Sequence, residues 1–336
     1  TEMAGMNYMR QFSIPDVTTD VYGASARWDH RFSDRTRLEI AGRIDGYTSA
    51  ADAGLANTNL YYAYHDVTNT SQSDTLPSLS LALTQLLSSN VTLNASLART
   101  VRFPDPRELF FGLKRMGADW VGNPELEPPK SNSASVNVTW NRGGAMLRAV
   151  GWFDQVDDYI ILYSQGRLNM APGVMNTRAM SYANVQAEIV GVSAEASAAV
   201  SSRVFLSGSL SYVRGTQDPI AELGITSSDL AEMPPLSARL AARWQNTKYF
   251  FEAEGQAAGR QDRVDEDLNE VETPGWAIFN LKAGVRWGNW RLQLVVSNVF
   301  DRTSRLHLSD LRTPYRSGSE VYEPGRNAAL TLGWNM

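Results

Sequence analysis

The chain has no cysteine, so disulfides and Cys-based zinc or iron–sulfur sites are excluded. It has only three histidines in 336 residues, which leaves little material for a histidine-rich metal centre or a histidine general base. It lacks any apolar run near the roughly 18 residues that a membrane-crossing helix needs; the longest streaks resemble Leu292–Val296. There is no excess of positive charge: the formal net charge is -5, and no nucleic-acid partner is expected. No basic and apolar leader opens the chain, which starts Thr1-Glu2, so the sequence reads as processed or as part of something longer. No G-x-S-x-G, H-E-x-x-H or phosphate-loop motif occurs, so the chain is not expected to be an enzyme.

Period-two alternation dominates what is present. Leu236, Ala238, Leu240, Ala242 and Trp244 are apolar, and the interleaved series is mostly polar. Leu38, Ile40, Gly42 and Ile44 likewise oppose Arg37, Glu39, Arg43 and Asp45. Such segments predict about thirteen strands, and no stretch keeps a helical period over three turns. The connections alternate in size. Short ones are expected near 33–35, 88–90, 142–144, 201–202, 246–248 and 288–289; long ones near 48–76, 102–130, 160–181, 215–234, 260–274 and 299–325. That asymmetry predicts an up-and-down antiparallel sheet with tight turns at one end and long loops at the other, as in transmembrane β-barrels. A soluble sandwich also alternates, so the decision falls to other features.

One is tryptophan placement. Trp28, Trp140, Trp244, Trp287 and Trp334 lie on the apolar series near a short turn or the C-terminus, and Trp290 opens the next strand. Together they would ring the short-turn end as a membrane-interface girdle; strand-end aromatics capping a soluble core are the alternative. The opposite series carries Arg37, Glu39, Arg43, Asp45, Arg239, Arg243, Glu252, Glu254, Lys282, Arg286 and Arg291. Unpaired charges in a small packed core are costly, whereas a wide barrel lumen keeps them solvated or paired.

At Arg99–Trp140 the sequence resembles the TonB-dependent outer-membrane receptor family. Arg102, Pro104, Glu108 and Leu109 match an R-x-P-x-x-x-E-L segment that enters a long external loop. Gly122, Asn123, Pro124, Leu126 and Pro128 match the G-N-P-x-L-x-P segment that returns from it. Further similarities follow in the family's order, among them 233–244, 296–302 and 323–334. The resemblance implies that residues 1–336 form the C-terminal portion of a larger plugged, all-β transmembrane barrel, with the plug domain and first strands absent. It implies residence in the bacterial outer membrane among lipid. It also implies energising by the TonB complex through the missing N-terminal region, and insertion by the barrel assembly machinery through the C-terminal strand. One departure is the end of the chain, where Met336 stands in place of the family's usual aromatic.

The expected activity is active import of a scarce nutrient, with no resident cofactor. Methionine hints at the cargo. Met3, Met6 and Met9 cluster near the start, ahead of the first full strand, and Met170, Met175 and Met180 lie in the long loop expected over 160–181. Thioethers are soft ligands that select Cu(I), and the chain resembles copper-type receptors of the family around 13–24 and 116–126. Copper is therefore the expected cargo, with an iron chelate (a ferric siderophore) as the alternative; the methionines could instead pack loops together. His65 and His307, both placed in long loops, could join a metal site or simply be solvated. The acidic stretch 264–272 reads as a solvated loop. A barrel-wall hydrolase and an adhesive or structural barrel are the readings from other classes.

Overall fold

The computed structural model describes residues 12–309 and 320–334. Thirteen long strands form one antiparallel wall in sequence order. They are β1 (Val17–Ser33), β2 (Thr36–Ala51), β3 (Ser71–Ser88), β4 (Val91–Val101), β7 (Lys130–Arg142), β8 (Ala145–Gly166) and β9 (Arg178–Ala199). The wall continues with β10 (Val204–Gln217), β11 (Ser237–Gln245), β12 (Tyr249–Ala258), β13 (Trp276–Trp287), β14 (Trp290–Ser297) and β15 (Asn327–Trp334). The short strands β5 (Gly112–Leu113) and β6 (Asp119–Val121) lie within the loop between β4 and β7. Among the described residues β1 pairs only with β2 and β15 only with β14, so the wall they form is open. No described helix is long and apolar enough to cross a membrane.

The two faces of the wall follow from strand pleating. Directly paired residues share a face. Trp28 opposes Ile40 and Leu210 opposes Ala238 on the outward face, and Asp29 opposes Glu39 on the inward face. The outward residues are large, apolar and exposed: Ile44, Leu97, Leu240 and Leu330 are examples. In water such a continuous apolar surface would be an aggregation hazard; it suits a hydrocarbon surround. The inward charges are mostly paired. Arg27 lies 2.5 Å from Glu39, Arg43 lies 2.5 Å from Asp45, and Lys282 lies 2.9 Å from Glu252. Arg239 Nε donates to Glu254 at 2.9 Å.

The buried apolar clusters sit above the wall, among the long loops. One joins Leu109, Phe110, Trp120, Leu126, Leu162, Met180, Tyr182 and Leu268. A second gathers Leu60, Tyr61, Ala63 and Tyr64 of helix α1 (Thr58–His65) with Val121, Val174 and Ala179. The molecule is therefore inside-out in one half and conventional in the other: apolar residues face outward on the wall and inward in the loop cap.

One expectation is corrected. The loop expected over 160–181 is shorter, because β8 runs on to Gly166 and β9 already begins at Arg178. Alternation fades there because both faces are covered by the loop cap, so Ile160–Tyr163 reads as one apolar run. Asp157 and Asp158 of β8 sit at a β-bulge: the register slips between Val156 and Tyr159, and Asp158 has φ 61°. The bulge is fastened by Lys130, whose ammonium lies 3.0 Å from Asp158.

Candidate functional site

The loop cap is the part of the molecule equipped to meet a ligand, and the motif loop between β4 and β7 organises it. Helix α2 (Pro106–Phe110) opens with a capping box: the Asp105 carboxylate accepts from the Arg107 and Glu108 amides, and Glu108 returns a bond to the Asp105 amide. Pro104 leads into this start, and Pro106 fits the first helical turn, where no amide hydrogen is needed. Arg102 grips the same Glu108 carboxylate with both arms, at 2.7 and 3.0 Å. The returning half docks on this turn. Gly122 N donates to Phe111 O at 2.7 Å, and Asn123 N donates to Glu108 O at 2.8 Å. A side chain at Gly122 would fall 2.6 Å from the Leu109 carbonyl. Asn123 Nδ2 reaches across to Tyr182 O at 3.1 Å, and Pro124 follows in the turn. Arg102, Pro104, Glu108, Gly122, Asn123 and Pro124 thus shape a loop; their polar groups are spent on one another and on the backbone.

A comparable lock holds the end of the wall. Asn298, at φ 50°, accepts from Arg302 N at 2.9 Å and donates to Arg302 O at 2.7 Å. Asp301 accepts from Arg326 N at 2.7 Å and leaves no room for a Cβ at Gly325. The similarity over 296–302 and 323–334 is the two halves of this lock.

The histidines are not solvated loop residues, as one reading of the sequence had them. His65 closes helix α1 and its Nε2 lies 2.7 Å from Ser181 Oγ of β9. Burial pushes its pKa down to about 4, so the ring is neutral at physiological pH. His307 is buried between Thr273 Oγ1, 3.0 Å from Nδ1, and Glu270 Oε1, 3.3 Å from Nε2. The two histidines belong to different loop clusters and do not form one site. Glu270 also accepts from the Asp265 and Glu232 amides, at 2.8 and 2.6 Å. One carboxylate therefore ties together the loops after β10, β12 and β14. Burial opposes its ionisation, but these donors and the His307 ring outweigh burial and hold its pKa below the usual range. Neighbouring Asp265 has the reverse balance: burial pushes it up to about 6. The stretch 264–272 is accordingly a buried hub and not a solvated loop. Sequence reading missed it because charge was taken as exposure; the interleaved Val264 and Leu268, both buried, were the available signal. No group of three or more His, Asp or Glu side chains able to hold a metal occurs among the described residues.

The methionines separate by environment. Met170 and Met175 are 78% and 77% exposed. They flank a turn in which Val174 N donates to Ala171 O at 3.2 Å, closed behind by Arg167 N donating to Thr177 O at 2.9 Å. Met180 differs: it lies in β9 and is buried in the cluster with Trp120 and Leu162. Burial places it apart from the exposed pair, as a packing residue. Met3, Met6 and Met9 lie outside the described residues.

At the opposite end, Trp28, Trp287, Trp290 and Trp334 are between 42% and 52% exposed on the outward face, beside the short turns and the last strand. Trp290 opposes both Trp287 and Trp334. Trp140 opposes Leu147, and Trp244 opposes Phe251, in the same row.

A family description reading "TonB dependent receptor-like, beta-barrel" matches residues 3–299. The chain belongs to this TonB-dependent receptor family. Its members are outer-membrane receptors, and the described wall is part of such a barrel. Among solved structures, the copper transporter OprC is similar, with a TM-score of 0.76 and 24% identity over 96% of this chain and 48% of that one. The ferric-catecholate import receptor Fiu from E. coli K12 has a TM-score of 0.67 at 16% identity, over 94% of this chain and 44% of that one. A mutant of the ferric enterobactin receptor PfeA from Pseudomonas aeruginosa has a TM-score of 0.62 at 16% identity, over 94% and 53%. At these identities the likeness is one of fold. The receptor chain spans about half the length of these structures. No curated protein matched the sequence.

Proposed function

We propose that this receptor chain forms the wall and external loops of an outer-membrane importer energised through TonB, and that its cargo is copper. The observation that carries the cargo assignment is the pair of exposed thioethers, Met170 and Met175, held on the two arms of one closed loop. Methionine in a loop has no core to fill, and exposing it gains nothing in stability; a soft ligand pair gives it a use. The fold likeness to a copper transporter is consistent with this reading, while the likeness to ferric-chelate receptors keeps the iron alternative in the test.

Import itself follows the family's logic. The external loops capture the cargo, the lumen leads inward, and pulling on a plug opens the path. The same reading places the outward apolar face against lipid and the last strand with the assembly machinery.

The test uses the complete receptor, purified from outer membranes, loaded with Cu(I) under reducing conditions, washed, and assayed for bound copper by elemental analysis. Copper is expected in the parent and is lost when Met170 and Met175 are both changed to Leu. Copper retained in that double variant moves the site off this loop. No copper in the parent overturns the assignment and leaves the iron chelate.

A further inference from the structure

Arg99 breaks the apolar pattern of the outward face. Trp28, Ile40, Leu81 and Leu97 form one outward row across β1 to β4. Arg99 lies two residues beyond Leu97 and so shares that face, opposing Leu79 on one side and Asn132 on the other. Its guanidinium donates to Asn132 Oδ1 at 2.9 Å, and among the described residues it has no carboxylate partner. Gln155 is next in the row, opposite Asn132. The first carboxylate of the row, Glu188, stands three strands away from Arg99. A charge on a lipid-facing surface is costly unless it reaches the interface or a counter-charge. β4 ends at Val101, two residues on, so Arg99 marks the edge of the apolar band on the side of the long loops.

Arg99 also edges a hollow. A concavity of about 420 Å³ on this face has Arg99, Asn132 and Gln155 at its polar end. Toward the short turns a second concavity, of about 630 Å³, is lined by Ala95, Val136 and Gly151. The two share Leu81, Leu97, Ala134 and Phe153, so they are one groove running down the wall from the guanidinium. Its shape follows from side-chain size. Leu97 and Phe153 are large and exposed, and Ala134 stands between them on the intervening strand. In the next row toward the short turns, Ala95 and Gly151 keep the groove open on either side of Val136.

We propose that this groove binds one phosphorylated lipid of the leaflet on the long-loop side, with its phosphate on Arg99 and an acyl chain laid over Ala134 toward the short turns. The guanidinium fork matches phosphate oxygens, and a basic pocket on a membrane-facing surface is a natural headgroup site. The Asn132 and Gln155 amides add donors beside the fork. Leu81, Leu97 and Phe153 give the chain hydrocarbon sides. Free phosphate would find the charge but not the groove, and a chain without a phosphate would leave Arg99 unmatched. Bulk lipid covers the whole outward face, whereas here a single headgroup is recognised. The inference rests on that face lying against lipid and is independent of the cargo.

The test uses the complete receptor, purified from outer membranes into a non-ionic detergent. It is titrated with dimyristoylphosphatidic acid and, separately, with dimyristoylglycerol, and bound lipid is counted by native mass spectrometry. One phosphatidic acid per receptor is expected to remain at a collision energy that strips the lipid without a phosphate. Arg99→Gln should lower that occupancy at least tenfold. Ala134→Phe, which fills the groove and leaves Arg99 intact, should act in the same direction. Arg214→Gln should leave occupancy unchanged, because Arg214 also faces outward, opposite Val190, but lines neither hollow. If Arg99→Gln fails to assemble, judged by heat-modifiable gel mobility, Arg99→Lys, which keeps the charge and loses the fork, should lower occupancy as well. Equal retention of the two lipids, an occupancy indifferent to Arg99 or Ala134, an equal loss with Arg214→Gln, or displacement by inorganic phosphate each overturns the proposal. A parent that does not fractionate with the outer membrane overturns the placement against lipid and the site with it. Copper loading is measured separately, so no outcome here bears on the cargo.

Discussion

Gly122 lies against the backbone of Leu109, and a Cβ at 122 would come within 2.6 Å of the Leu109 carbonyl carbon and oxygen. Backbone cannot yield as a side-chain tip can. This contact is how the returning half of the motif loop closes on the capping-box turn.

Gly122→Ala should therefore destabilise the loop cap by about 1–3 kcal/mol, the usual cost of overpacking. Hydrogen exchange over 102–129 in the complete receptor should rise, while the wall strands stay protected. Unchanged exchange would mean that the two halves do not depend on this contact.

The Glu270 hub should have a pH optimum. Asp265 binds its proton more tightly in the fold than when free, because burial raises its pKa to about 6. Its effect is to weaken the hub as pH rises from the ordinary carboxylate range through 6. Glu270, held below that range, stabilises at higher pH and loses its contribution as pH falls through its folded pKa. Protection of 259–275, corrected for intrinsic exchange, should peak near the ordinary carboxylate range, at about pH 4, and fall as pH rises to about 6. Asp265→Asn keeps the cap to the Leu268 amide and should raise protection at pH 7 by roughly tenfold, or about 1.4 kcal/mol. A flat profile in the parent would count against the buried carboxylate.

His65 should act in the opposite direction to Asp265. Its folded pKa, lowered to about 4 by burial, means the ring resists protonation in place. Attachment of α1 to β9 is complete above about pH 6.5, the ordinary histidine value, and weakens as pH falls toward 4. His65→Gln, which can still reach Ser181, should flatten that dependence. Exchange of the α1 amides across pH 4–7 reads it; an equally steep profile in the variant would assign the effect elsewhere.

Met180 and the exposed methionines should respond differently to substitution. Met180→Ala opens a cavity in the loop-cap cluster and should cost roughly 2–5 kcal/mol, whereas Met180→Leu should cost less than about 1.5. Met170→Leu and Met175→Leu should leave stability within about 0.5 kcal/mol. Thermal unfolding of the complete receptor separates the two classes. A large loss from Met170→Leu would show that loop packing, and not ligand capture, explains it.

The thirteen wall strands and the alternation of short turns with long loops were legible because a membrane wall writes its environment on every second residue. The outward series must be apolar from Trp28 to Trp334, and inward residues such as Glu39 and Lys282 can be charged, whatever the rest of the chain does. The motif loop was legible as a pattern, but its purpose was not, since the Arg102–Glu108 grip and the Gly122 contact exist only after the two halves meet. In the loop cap the link between residue type and environment fails. There Glu270 and His307 are buried, Met170 is exposed and Met180 is not, because burial is set by which distant loops come together. Sequence alone determined a one-dimensional pattern tied to the membrane. Only the tertiary structure decided which charges found partners, and among the described residues it left the side chains of Arg286 and Arg291 facing each other without one.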